Sequence, residues 1–453
     1  MSLSPLGRLL AELSVHPRLG KLLVFGCLVG CARPTLSIAA SMHLQNLFMH
    51  PGSSNCSWTA KDARVELSRA CGGYHMRGCG GDSDHVIWAE LLERWWKSSQ
   101  ESKQQLCRQL GISPLRMGEV LAERKHLVQS LVAAKLLPKN YESDWPEPHA
   151  VCDRHASKRE VLRGVISAGL YPNLVHVEDA IGQNYELKLV EGSEEVIVHP
   201  ASMCAGKVPY DWSLLVYHQK NHANKLFVYD LTAAIPAALC AFGGVPHHVD
   251  SDLKKCRFAV GERFWVNCMR LPHPYNEPSR ARVAIQGVQM AVRKLIQRAV
   301  ARDGTHLRPS CELRLILAAI APAECKIEDT EEENPRIDPS DGKAYCLEEL
   351  RRAYKDQMSE EELVEFWLRD CLRPCPAATS SALQALECSA VHLSIDEWLR
   401  AIAKNDVLLQ YRNQLIKLYS TPVQIIGAYA VTSSTDVVSI CPRFFEDVGV
   451  QKI

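Results

Sequence analysis

The sequence has no excess of either charge, because 52 Lys and Arg residues balance 52 Asp and Glu residues. A neutral chain exerts no global attraction on a polyanion, so any nucleic-acid site must be a local patch of cations. Hydrophobic residues make up 47% of the chain and charged residues 23%, which is typical of folded protein and argues against disorder. At roughly 100–200 residues per domain, the length corresponds to about two to four domains.

Long apolar runs are also lacking. The strongest candidate, Leu22 to Cys31, follows Arg18 and Lys21 and is far shorter than the roughly 20 residues that span a bilayer. A secretory signal peptide is the alternative interpretation, but Glu12 and Pro17 interrupt the segment that leads into the run. We therefore expect a buried helix here and no attachment to a membrane.

The 18 cysteines do not form a compact framework of closely spaced pairs. They are scattered, and several, such as Cys27, Cys31, Cys240 and Cys311, lie inside apolar runs. This distribution indicates buried free thiols in a reducing compartment. We expect an intracellular protein, nuclear or cytoplasmic.

Helical periodicity dominates the first 140 residues. Leucines between Leu6 and Leu23 follow a helical pattern that Pro17 divides in two, and Pro114 at a first turn predicts a helix that continues to about Leu131. Ile87, Leu91 and Trp95 share one face of a further helix. Residues 50–83 are rich in Gly, Ser and Cys and indicate an inserted loop.

The pattern changes near Pro138. A short helix over residues 160–170 precedes β-type runs at 174–177, 185–190, 196–199, 214–217 and 226–229, with turn residues between them. Strands at such close spacing predict a small barrel or sandwich. A helix follows over residues 281–300, then an acidic run from Glu328 to Glu333 that is typical of a solvated linker, and a further helical region begins near Leu393.

Three stretches resemble one family, in that family's own order. LGRLLAELSVHPRLGKLLVFG at 6–26 with LSIAASM at 36–42 resembles the end of the winged-helix domain of DEAH-box RNA helicases. SDHVIWAELLERWW at 83–96 with LRMGEVLAERKHLVQSL at 115–131 resembles their helical ratchet domain. REVLRGVISAGLYPNLVHV at 159–177 with VIVHPASM at 196–203, LLVYHQK and KLFVYDLTAAIPAAL resembles their OB-fold domain. The resemblance covers about residues 1–300.

The C-terminal segment resembles a different kind of domain. LSIDEWLRAIAKNDVLLQYRNQLIKLY followed by FFEDVGVQKI is similar to a sterile-alpha-motif-like helical domain and stops before the usual last helix of that domain. The resemblance implies partner proteins or self-association through residues 392–453.

The resulting fold class is α+β multidomain. We expect a helical winged-helix remnant at 1–49, a ratchet bundle with an inserted loop at 50–145, an OB-fold β-barrel at 146–270, a helical extension at 271–325, an acidic linker with a helical segment at 326–391, and a C-terminal helical domain at 392–453.

The resemblance implies the C-terminal accessory region of an ATP-dependent RNA helicase. Its partners would be single-stranded RNA and the helicase core domains in cis, and ATP and Mg²⁺ would be cofactors of the parent family. This sequence contains neither G-x-x-x-x-G-K-[ST] nor Asp-Glu-Ala-His, so we expect no cofactor and no ATP hydrolysis in this chain alone. Met1 falls inside the winged-helix resemblance, so we expect a fragment of a longer protein or a truncated gene model. A stand-alone protein-interaction adaptor without RNA binding is the alternative.

An RNA groove in an OB-fold needs cations for phosphates and aromatic or polar side chains for bases. The candidates flank the first helix of the barrel region or end its strands: Lys158, Arg159, Arg163, His199, Ser202, Tyr217, His218, Lys220 and Lys225. Two departures from the family put this groove in doubt. Ala201 stands where the family usually has Ser, and Tyr229 stands where many members have Arg.

Two metal sites are weighed and not adopted. Cys71, His75, Cys79 and His85 alternate thiol and imidazole, but their spacing is not that of a standard zinc finger. The segment 338–349 imitates a calcium loop in its Gly342–Glu348 spacing. That loop would need oxygen ligands on side chains that do not have them, and an Asp-Gly turn before a helix is the simpler interpretation. We expect no metal and no catalytic residue.

Overall fold

The structure is a computed structural model that describes residues 3–44, 83–110, 112–142, 148–179, 185–191, 194–200, 202, 204–205, 214–242, 246–247, 257–260, 264–267, 278–302, 304–321, 334–355, 357–373 and 386–387. The predicted sterile-alpha-motif-like domain, the acidic run Glu328 to Glu333 and three of the four weighed zinc ligands lie outside these residues. So does Ala201.

The N-terminal half is a helical bundle. Its helices are α1 (Pro5–Glu12), α2 (Pro17–Val29), α3 (Ala32–Leu44), α4 (Asp84–Lys97), α5 (Gln100–Leu110) and α6 (Pro114–Ala133). Helix α2 is apolar on nearly every side and is buried from Leu19 to Val29 except at Lys21, which makes it the centre of the bundle. Gly30 ends it in the left-handed region, at φ 80°, where glycine carries no steric penalty.

Side chains at the helix starts explain where the helices begin. The hydroxyl groups of Ser4, Ser83 and Ser113 accept backbone N–H groups at the first turns of α1, α4 and α6. A proline occupies the first turn of α1, α2 and α6, as the sequence predicted for Pro114. Within the described residues, no helix is both long and apolar enough to cross a bilayer.

Helix α7 (Arg159–Leu170) connects the bundle to the barrel. It packs on α2 so closely that a Cβ atom added at Gly169 would lie 2.9 Å from the Cα atom of Leu22. The β-barrel follows, with strands β1 (Leu174–Asp179), β2 (Tyr185–Leu189), β3 (Ile197–Val198), β4 (Leu214–His222) and β5 (Leu226–Ala233).

The five strands lie in the order β2-β1-β4-β5-β3, antiparallel except for the parallel pair β5–β3. The chain just before β3 returns to β2, where the N–H of Leu189 bonds to the carbonyl of Glu194 and the N–H of Val196 to that of Leu187, each at 2.9 Å. These bonds join the two ends of the sheet, so the sheet is nearly closed around its own apolar core. The predicted α+β class with an OB-type barrel is confirmed.

The chain after the barrel adds helices and a second sheet. These are α8 (Pro236–Phe242), β6 (Pro246–His247), β7 (Arg257–Val260), β8 (Phe264–Asn267), α9 (Pro278–Ala301), a 3₁₀ turn (Thr305–Leu307) and α10 (Cys311–Ile320). Helices α8, α9 and α10 pack on one another and join the large core of the helical bundle.

Residues 334–373 form a small folded unit inside the region that the sequence predicts to be a linker with a helical segment. It contains β9 (Arg336–Ile337), β10 (Ala344–Tyr345), α11 (Leu347–Ala353) and α12 (Glu360–Arg369). Its two ends pair, since Ile337 and Leu372 exchange backbone hydrogen bonds of 2.7 and 2.8 Å. The unit has its own apolar core around Trp367. Strand β11 (Leu386–Glu387) then pairs with β8.

Candidate nucleic-acid interface

The hairpin of β4 and β5 extends beyond the barrel into solvent. Strand β4 is buried from Leu214 to Tyr217 and exposed from Lys220 to His222. The two strands stay in register to the pair His222–Leu226 at the tip. No Asp or Glu occurs between residues 214 and 229, so the exposed Lys220 and Lys225 make this tip locally cationic.

Three half-buried rings lie together, Phe227 and Tyr229 on β5 and His199 just after β3. The His199 ring stacks on Tyr229 with centroids 4.3 Å apart, and it meets Phe227 edge-on at 5.9 Å. Val228, which lies between Phe227 and Tyr229 in the sequence, points into the barrel core. Phe227 and Tyr229 therefore lie on the outer face of β5. Lys220 is paired with Val228, so its side chain leaves the hairpin on the other face from Phe227 and Tyr229, whereas Lys225 precedes Phe227 by two residues. Partly exposed aromatic rings are elements on which single-stranded bases stack. Sequence reasoning missed Phe227, although its alternation with Val228 was a usable signal.

A shallow depression of about 330 Å³ lies beside the hairpin tip. Lys225, Leu226 and Ile197 line it together with Glu186 and Glu195. Because the two carboxylates oppose a phosphate, the depression itself is a poor site for nucleic acid, and the hairpin tip and the rings are the better surface.

The structure places six of the predicted site residues away from this surface. Tyr217 is only 5% exposed and packs in the barrel core. The Arg163 guanidinium is held by Glu160 and by the carbonyl of Ala233, both at 3.0 Å. His218 faces the helical bundle, and Ser202 bonds to a buried carboxylate on α4. Lys158 and Arg159 are half-buried at the start of α7, where each already interacts with neighbouring groups.

Comparisons with known proteins agree with this geometry. A family model described as an oligonucleotide/oligosaccharide-binding (OB)-fold matches residues 162–245, and one described as the ratchet-like helicase-associated domain (HA2) matches residues 16–88. The ATP-dependent DNA/RNA helicase DHX36 of Mus musculus is 25% identical over 333 residues, which are 71% of this chain and 31% of that protein. The DExH-box ATP-dependent RNA helicase DExH6 of Arabidopsis thaliana is 29% identical over 221 residues, which are 48% of this chain and 16% of that protein.

These matches support a resemblance to the C-terminal region of DEAH-box helicases. The chain spans less than a third of the length of the relatives named above, with 31% of the mouse protein covered and 16% of the plant protein.

A hydrogen-bonded cluster joins the two matched domains at the start of α4. The buried Asp84 carboxylate accepts the hydroxyl of Ser202 at 2.6 Å and the backbone N–H of Leu231 at 2.9 Å. Next to it, the Ser83 hydroxyl lies 2.7 Å from the Thr232 hydroxyl, and the two residues form an antiparallel bridge. Ser202 therefore links the helical domain to the barrel.

A buried histidine, His85, and a half-buried one, His218, lie beside this junction. The Nδ1 atom of His85 is 2.7 Å from the Thr232 hydroxyl, and burial lowers the pKa of His85 to about 3, with a smaller contribution from His218. Burial also lowers the pKa of His218 to about 4, aided by the nearby Arg18 and His16, although a hydrogen bond to the carbonyl of Met42 opposes this shift. Both imidazoles are therefore neutral at neutral pH.

The described residues contain no group of three or more His, Cys, Asp or Glu side chains arranged to hold a metal. His85, the described member of the weighed zinc set, is bonded to Thr232. In the segment weighed for calcium, the Asp338 carboxylate accepts hydrogen bonds from the hydroxyls of Ser340 and Tyr354, both at 2.6 Å. Its oxygens stabilise the turn that precedes α11.

Proposed function

We propose that this region engages single-stranded RNA through the hairpin tip and the adjacent rings. Lys220 and Lys225 would contact phosphates, and His199, Phe227 and Tyr229 would offer faces for bases. The observation that supports this most directly is the cationic hairpin tip, within whose residues 214–229 no Asp or Glu occurs, on an OB-type barrel with a partly exposed aromatic cluster. The role belongs to an ATP-dependent RNA helicase whose core domains act in cis.

The buried cluster around Asp84 supports the same proposal in a second way. It holds the helical domain and the barrel in a fixed orientation, and contacts within a hydrogen-bonded network of this kind tolerate little movement. An RNA strand crossing both domains would then meet a preformed surface. Association with protein partners through residues 392–453 stays a prediction of the sequence.

Replacing both hairpin lysines by glutamate is expected to weaken RNA binding about tenfold or more at low salt, because two cations that attract phosphates become anions. The measurement is fluorescence anisotropy with a labelled single-stranded RNA. Lys139→Glu combined with Lys355→Glu is the matched control, since both lysines are exposed, lie on other elements and give the same change in net charge.

Unchanged affinity in the hairpin variant would show that the RNA surface lies elsewhere. If the wild-type chain binds no RNA at low salt but captures a protein, the adaptor function is the correct one.

A further inference from the structure

Helix α9 is strongly one-sided in charge. It carries five Arg or Lys and no Asp or Glu in its 24 residues, although the chain as a whole is neutral. Two of these cations are neutralised by α10, because Lys294 and Arg298 lie 3.5 and 3.0 Å from the carboxylate of Glu312. Arg293 is exposed on a different face, and no acceptor among the described residues bonds to its guanidinium.

Arg293 lines a groove of about 390 Å³ between α9 and a turn of the 334–373 unit. Besides Arg293, helix α9 contributes Val283, Gln286 and Met290, and the turn contributes Asp341 and Gly342. The volume lies within the range of about 300–1,000 Å³ that is common for small-molecule sites and is sufficient for one nucleotide.

Packing holds the two walls of the groove in place. Ile337 fits against Gly287 so closely that a Cβ atom there would lie 2.7 Å from the Ile337 Cδ1 atom. Gly342 has φ 68°, and a Cβ atom at that position would lie 3.3 Å from the Met290 Cε atom. The groove is therefore preformed, which reduces the entropy cost of binding.

The electrostatics of the groove favour an anion. Asp341 is the acidic residue in its lining, and its carboxylate is bound by Lys343 at 2.9 Å and by the Tyr345 hydroxyl at 2.8 Å. Arg293 has no such neighbour among the described groups, and a guanidinium offers the paired donors that suit a phosphate.

We propose that this groove binds one nucleotide of a single-stranded RNA, as a second contact point beyond the barrel. Arg293 contacts the phosphate, the Gln286 amide bonds to a base edge, and Val283 with Met290 provides an apolar surface for the base. An acidic peptide would also satisfy Arg293, but it would make no use of an amide and an apolar surface next to the cation. The inference rests on the proposed function, and both walls of the groove lie outside the ranges that the family models match.

Photo-crosslinking of the full chain to an oligonucleotide that contains 4-thiouridine tests the site. After trypsin digestion, crosslinks are expected on the peptide 283–293 or 337–343 from the groove, and on the peptide 226–254 that carries the hairpin rings Phe227 and Tyr229. Arg293→Gln should remove the groove crosslinks, weaken binding about fivefold and reduce the salt slope by about 0.7, while the hairpin crosslink persists.

Two Gln→Glu substitutions separate the site from a general charge effect. Gln286→Glu adds an anion inside the groove and should weaken binding, whereas Gln104→Glu adds the same charge at an exposed position on α5 and should change little. Hairpin crosslinks without groove crosslinks would contradict the groove assignment and leave the proposed function intact. If the wild-type chain binds no RNA, both the groove assignment and the proposed function are wrong.

Discussion

Asp84→Ala is expected to lower the free energy of unfolding by about 3 kcal/mol, because it leaves the Ser202 hydroxyl and the Leu231 N–H buried without their acceptor. It also removes a carboxylate from the first turn of α4, where the helix dipole favours negative charge. Urea denaturation followed by circular dichroism measures the loss.

Glu101→Ala is the matched control, since Glu101 is also a first-turn carboxylate but is exposed on α5. Its effect should stay within about 0.5 kcal/mol. Asp84→Asn keeps an acceptor oxygen and should fall between the two. Equal losses for Asp84→Ala and Glu101→Ala would contradict the role assigned to the junction.

Acidification from pH 6.5 to pH 5 is expected to destabilise the chain by about 2 kcal/mol for each of His85 and His218. Both have a pKa below that of the unfolded state, about 3 and about 4 in the folded chain. Between those values and about 6.5 the unfolded state binds protons that the folded state does not, so stability falls as the pH falls.

His218→Gln should reduce the loss of stability on acidification by the contribution of one histidine. Denaturation midpoints at pH 7 and pH 5 measure this loss. His126→Gln is the control, because His126 is exposed on α6 and should leave the slope unchanged. A wild-type chain equally stable at both pH values would contradict the burial of neutral imidazoles at the junction.

The existence of most described elements could be predicted from the sequence. Strong periodicity and capping residues placed α4, α6 and α7 within about two residues of their observed ends, and the β runs matched all five strands of the barrel. Local patterns carry this information because helix and strand periods are set by the backbone itself.

The positions of the site residues were harder to predict, because they depend on where strands end and on long-range partners. Strand β4 continues to His222, five residues beyond the predicted end, so Tyr217 lies in mid-strand and faces the core. Asp230 has φ 50° and interrupts the regular alternation of inward and outward side chains along β5. Val228 and Leu231, three residues apart, therefore both point into the barrel core. The partner of Ser202 is 118 residues away, and no local pattern reveals such a bond.

The 334–373 unit shows the same limit. Its apolar residues are few and its first strand has two residues, so periodicity gives little signal. Contacts between particular side chains stabilise the unit. The Arg336 guanidinium, for example, donates to the carbonyl of Trp367 at 2.8 Å and lies 5.2 Å from the centroid of the Trp367 ring. Contacts of this kind are visible only once the chain is folded.

The most direct test of the central claim is the salt dependence of the affinity of the whole chain for single-stranded RNA. If cations of the hairpin tip bind phosphates, the logarithm of affinity should fall linearly with the logarithm of salt concentration, with a slope of about −0.7 for each phosphate contacted. We expect a slope of about −1.4 or steeper for wild type, and a shallower one when Lys220 and Lys225 are replaced. Binding that does not respond to salt, or no binding at low salt, would contradict the account.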